Sequence, residues 1–253
     1  MSATVLIVLS LISFLPQIQR IVRKKSSVDI SLTYILLNTI SATEQFTLGF
    51  YLIAIHGHDA DFFVGDPRNL GDWLNLTQLV VVWLASLVLF AVCLVYAPSS
   101  APKARAVAIY VAFLLISVVP LFVSALKPGE GEDERWIDAI FYGVHSMLVN
   151  PLVTLGAAAS LCFQWQEAAA LSSTGLAAQA VVFAAVALSW ISRVRFLEYV
   201  GDEGRFPFVA WYQLVSWAVV DNGIFALVQA VLFCLAKRHP SGLSVEDEPL
   251  LGH

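Results

Sequence analysis

The chain has 253 residues, of which 58% are hydrophobic and 13% charged, with a mean hydropathy of +0.77 and a net charge of -5. Globular domains carry about 25% charged residues, so this composition excludes a soluble core and points to an all-α protein that crosses a membrane repeatedly. It also excludes the basic face that nucleic acid requires, and no nucleophile–base pair or metal-ligand set is spelled out, so neither an enzyme nor a cofactor is expected.

A helix needs about 20 apolar residues to cross the hydrocarbon. Seven such segments are predicted, at 3–22, 31–55, 74–97, 105–126, 139–163, 176–195 and 208–236. The first lacks the positively charged lead of a cleaved signal and is expected to stay as a span. Inside it, Pro16 removes a backbone hydrogen bond and predicts a kink, with Gln17 beside it. Arg20, Arg23, Lys24 and Lys25 crowd the first loop. The positive-inside rule places that loop in the cytosol, the N-terminus in a lumen and the tail in the cytosol.

In the second segment Tyr34, Asn38, Ser41 and Gln45 form one polar stripe, with Glu44 at its border. The stripe is either a cavity wall carrying a titratable carboxyl or a hydrogen-bonded seam between helices. At the start of the third, Asn75–Thr77 makes a glycosylation acceptor that hugs the membrane and is expected to be unmodified. The fifth carries His145, one turn from Tyr142. His145 is either a hydrogen-bonded core residue or a proton carrier suited to an acidic lumen. Asn150-Pro151 follows and offers a second kink. Near its end come Gln164 and Gln166, which echo Gln17 and Gln19. Gln17 and Gln164 are expected to bond freed backbone carbonyls or to contact solute.

In the seventh segment, Gln213, Trp217 and Asp221 share a face by spacing, and Asp221-Asn222-Gly223 predicts an interruption. Asp221 is either a substrate or proton group or a structural clamp. Ionisable residues inside a membrane usually face a cavity and act there. Cys93, Cys162 and Cys234 lie in or at the edges of apolar segments and read as small core residues. In the tail, Glu246, Leu250 and Leu251 fit an acidic dileucine signal, which adaptor complexes read in the cytosol.

Three ordered matches suggest an internal repeat. Gln17-x-Gln19 pairs with Gln164-x-Gln166, and Ser26–Ser31 pairs with Ser172–Ala177. Farther on, Trp73, Leu76, Val81-Val82 and Leu89 pair with Trp211, Leu214, Val219-Val220 and Leu227. The expected layout is a three-helix unit at 1–97, a linker span at 98–130, a second unit at 131–236 and a tail at 237–253.

Pro16-Gln17 followed by Lys25-Ser26-x-x-Asp29-x-Ser31, with a degenerate second copy, resembles the PQ-loop repeat family of seven-span carriers. Its wider relatives include cystinosin, lysosomal amino acid exporters, the SWEET sugar carriers and the KDEL receptors. Asp29 stands where that family usually has glycine, and Phe163 replaces the second proline. The resemblance implies two parallel three-helix bundles joined by a linker helix, with hinges at Pro16-Gln17 and Gln164, and the kink at Asn150-Pro151 could stand in for the hinge missing at Phe163. It implies a small-molecule solute moved by alternating access, and places Asn222 where the sugar carriers put an asparagine against substrate. With the carboxylates and the tail, the expectation is proton-coupled export of amino acids from lysosome or vacuole. The solute and proton candidates are Asn38, Glu44, His145, Asn150, Asp221 and Asn222. A sugar uniporter and a seven-span sorting receptor or scaffold are the alternatives.

Overall fold

A computed structural model describes residues 3–28, 30–55, 63, 67–126, 132–191 and 208–238. The sorting residues Glu246, Leu250 and Leu251, and Asp29 of the motif, lie outside them. The described residues build helices α1 (Ala3–Lys24), α2 (Leu32–Phe50), α3 (Leu70–Tyr96) and α4 (Ser100–Leu126). They continue with α5 (Glu132–Val144), α6 (Asn150–Gln164), α7 (Ser173–Ile191), α8 (Phe208–Trp211) and α9 (Trp217–Arg238). Three π-helical turns interrupt this order, at Tyr51–Ile55 after α2, His145–Val149 between α5 and α6, and Tyr212–Ser216 between α8 and α9.

Six helical stretches are long and apolar enough to cross a membrane: α1, α3, α4, Trp136–Gln164, α7 and α9. The expected second span is not among them, because Asn38, Glu44, Gln45 and several threonines dilute the hydropathy of α2. That helix is instead enclosed, with 14 of its 19 residues buried. It packs against α3, α4 and α6. Gly49 permits the close approach to α3, since a Cβ there would lie 2.2 Å from Leu79. The outer helices are built the opposite way. α1 exposes Val5, Val8, Leu11 and Ile12, and α4 exposes Val111, Leu115, Val119 and Phe122. An apolar outside of this extent fits lipid.

The packing order is the same at both ends of the chain. α3 touches both α1 and α2, and α9 touches both α6 and α7. Between these groups, α1 packs on α7 and α2 packs on α6. The helix starts are capped by local chemistry. Ser31 Oγ accepts from the Tyr34 N–H at 3.3 Å, and Ser172 Oγ from the Gly175 N–H at 3.3 Å. Asn69 and Asp72 form a reciprocal capping box, which starts α3 four residues ahead of the predicted 74 and puts Asn75 inside the helix. At its other end α1 closes on Arg23 and Lys24, favourable for a helix C-terminus, and Lys25 turns the chain with φ 48°.

Several expectations are corrected here. α9 runs unbroken through Asp221-Asn222-Gly223. Gly223 makes no close approach; a Cβ there would meet nothing within 4 Å. Cys93 is buried, but Cys162 and Cys234 are exposed on the outer faces of α6 and α9 rather than set in the core.

Candidate functional site

The interior polar residues fall into three groups, which the elements above hold at different depths. The first lies where α1 and α6 end. Gln17 Oε1 accepts from the Ser172 N–H at 2.7 Å, and Gln164 Oε1 accepts from the Ser31 N–H at 2.8 Å. Each glutamine thus satisfies a backbone donor at the start of the second helix in the other group, which the helix itself leaves unpaired. Gln164 Nε2 also donates to the Glu167 carbonyl at 3.0 Å. Arg20 adds bonds to the carbonyls of Leu171 and Ala169. One turn before each glutamine, a buried serine bonds back along its own helix: Ser13 to the Ser10 carbonyl and Ser160 to that of Ala157, both at 2.7 Å.

These contacts revise two expectations. Gln17 bonds a backbone N–H rather than a freed carbonyl, and Gln164 does both. The repeat register also shifts. Ser31 and Ser172 are equivalents by role, each a capping serine held by a glutamine, so Ser26–Ile30 has no partner at the register read from the sequence. Pro16 serves packing here: its Cβ lies 3.5 Å from where a Cβ on Gly175 would stand.

The second group lies deeper, between α2 and the α7–α9 pair. Asn222 Nδ2 donates to Gln45 Oε1 at 2.8 Å and to the Ala218 carbonyl at 2.6 Å. Asn38 donates to the Tyr34 carbonyl, and Tyr34 Oη to Gln229 Oε1 at 3.0 Å. Small voids of about 20, 20 and 10 Å³ run along this interface. Each has room for about one water. Asn38, Ser41, Gln45 and Asn222 line them together with the rings of Phe14, Phe183 and Phe225. The far end carries an aromatic stack, with the Phe63 ring 5.7 Å from Trp190 and 5.6 Å from Trp217.

The third group holds the acids. Glu44 points away from the stripe, toward α4 and the π turn that opens at His145. Its two carboxyl oxygens lie 2.8 and 3.1 Å from His145 Nδ1. His145 Nε2 lies 3.4 Å from the Ile116 carbonyl, and the Phe141 ring covers the imidazole at 4.3 Å. Asp221 sits apart, on α9 against α6. Thr154 Oγ1 donates to Asp221 Oδ1 at 2.5 Å and lies 2.6 Å from Tyr212 Oη, which also accepts from Asn150 Nδ2 at 3.0 Å.

Of the sequence candidates, the structure therefore joins Asn38 with Asn222, Glu44 with His145, and Asn150 with Asp221. It does not gather them into one wall. Pro151 is the second residue of α6, which begins at Asn150 directly after a π turn, and the Asn150 N–H reaches back to the His145 carbonyl. Proline and π turns both reshape a helix locally. Thr154 and Tyr212 were missed. Thr154 is signalled by its place one turn beyond Asn150. Tyr212 is masked by the π turn, which rotates the residues before Trp217 away from α-helical spacing, so Tyr212 rather than Gln213 reaches the Asp221 cluster.

Fold and site together define a multi-helix membrane protein with a buried polar interior. Residues 1–55 match the family model for the PQ loop repeat, which supports placing the chain in the PQ-loop family. Comparisons with curated proteins and with solved structures gave no match.

Proposed function

We propose that this protein is a solute transporter of the PQ-loop type, with seven spans arranged as two three-helix units joined by α4. The observation that carries the reading is the reciprocal clamp of Gln17 on Ser172 and Gln164 on Ser31. Such exchange is what a twofold relation between units would generate, with α1 equivalent to α6 and α2 to α7. The shared packing order of the two groups supports the same relation. On this reading α2 is the seventh span, and its polar side chains are hidden from lipid by its neighbours.

Releasing the clamps would part the units at the end where α1 closes, while the Trp190–Trp217–Phe63 stack seals the opposite end. The basic first loop supports a cytosolic clamp end and a lumenal stack. Solute would then pass between Asn38, Gln45 and Asn222. Protons would travel with it through Glu44 or Asp221, since a protonated carboxyl escapes the penalty of a buried charge in a closing cavity. Amino acid export from a lysosome or vacuole follows from adding the tail signal at Glu246, Leu250 and Leu251, read by an adaptor complex.

One observation favours a second reading. The small voids are lined by neutral amides, hydroxyls and aromatic rings, a lining that suits an uncharged polar solute such as a sugar, carried without protons. The test for both is the full chain in liposomes, screened across amino acids and sugars with an imposed pH difference. Amino acid flux that collapses with the pH gradient is expected. Sugar flux that ignores the gradient and survives Glu44→Gln and Asp221→Asn would establish the uniporter instead. No flux with any of these solutes would overturn transport.

A further inference from the structure

We propose that Glu44 and His145 together form a binding site for one proton, and that α4 completes this site by offering the Ile116 carbonyl. The starting point is Pro120, which lies inside α4. A helical N–H at position 120 would occupy the carbonyl four residues earlier, and proline has none. That carbonyl belongs to Ile116, and it is the oxygen that meets His145 Nε2. A carbonyl only accepts, so Nε2 carries a hydrogen.

This settles what must stand on the other side of the ring. Nδ1 faces both oxygens of Glu44. With no hydrogen between them, acceptor would face acceptor beside a buried negative charge. With a hydrogen on each group, an imidazolium would stand beside a neutral acid and leave a buried positive charge unbalanced. One hydrogen satisfies the geometry, whether it rests on Nδ1 as an imidazolium–carboxylate pair or on Glu44 as a neutral pair. Both forms have zero net charge, which suits side chains only 3% and 0% exposed.

The surrounding titratable groups do not compete for this hydrogen. On α4, Tyr110 Oη is engaged by Thr43 and Trp83. On α5, Tyr142 donates to the Leu214 carbonyl, and after α2 Tyr51 donates to that of Asp138. The Asp138 carboxyl accepts from Ser124. Asp221 and Tyr212, which feel Glu44 only through space, are both tied to Thr154. Exchange of the shared proton then requires the π turn at His145 to part from α2 or α4. Under the transporter reading, on which this role rests, it is the coupling proton, and α4 is a working part rather than a passive linker. Pro120 is a positioning residue.

The test is nitrogen NMR of the full chain in lipid nanodiscs, labelled at histidine, with the His145 signals identified by their loss in His145→Gln. Nε2 is expected to show a protonated resonance and Nδ1 one displaced by a strong hydrogen bond. Pro120→Ala, which favours helix and supplies the missing N–H, is expected to shift Nε2 away from its wild-type position. Glu44→Gln keeps Nε2 protonated and turns Nδ1 into a bare acceptor of the amide. An unprotonated Nε2 in the wild type, or a Pro120→Ala spectrum identical to it, would overturn the site. No solute enters this experiment, so the site fails or stands separately from transport, which the liposome flux decides.

Discussion

Glu44 and Asp221 are both carboxyl groups with no exposed surface, yet the molecule handles them differently. Glu44 is met by an ionisable partner that can share or match its charge. Asp221 is met by a hydroxyl at Oδ1, while its Oδ2 has no hydrogen-bond partner among the described residues. The difference teaches how a dry interior keeps an acid. A counter-charge makes a self-contained neutral unit, whereas hydroxyls supply only part of what a carboxylate demands.

The sharpest way to break this contrast is His145→Ala. It strips Glu44 of its partner, and loss of one member of a buried pair costs about 3–5 kcal/mol. A large drop in the thermal midpoint of the protein in nanodiscs is expected. In a Glu44→Gln background the same change should cost much less; equal losses in both backgrounds would dissolve the pair. Thr154→Val tests the other acid. It removes the donor to Asp221 and a partner of Tyr212, for an expected loss of about 1–3 kcal/mol read by the same melt.

Tyr212→Phe is milder, since Thr154 still serves Asp221 and the loss is confined to the hydroxyl's bonds with Thr154 and Asn150. About 0.5–1.5 kcal/mol is expected. Asp221→Asn should change the midpoint least, because its amide oxygen can accept from Thr154 in place of Oδ1. If Asp221→Asn destabilises as strongly as His145→Ala, the two acids are held alike and the contrast fails.

Much of the fold was legible in the sequence. Apolar runs of bilayer length located α1, α3, α4, α6, α7 and α9, and Pro16-Gln17 marked one end of the interior. What stayed hidden is rotational. An apolar run fixes where a helix lies along the chain, but it says little about which neighbour a polar side chain meets. Glu44 and Gln45 are adjacent in sequence and face different helices for that reason. The π turns add a second obstacle, because they offset the spacing from which Gln213 was assigned to the face of Asp221. The partnership of His145 with α4 was readable in principle: a proline at 120 announces an idle carbonyl at 116, though not who will use it.

The enclosure of α2 has a consequence for how the chain is made. A segment holding Asn38, Glu44 and Gln45 enters hydrocarbon reluctantly on its own. Its shelter includes α3, α4 and α6, all synthesised later. A nascent chain arrested before residue 70 should therefore hold its second segment only loosely at the translocon, and release of that segment into lipid should await the helices that follow.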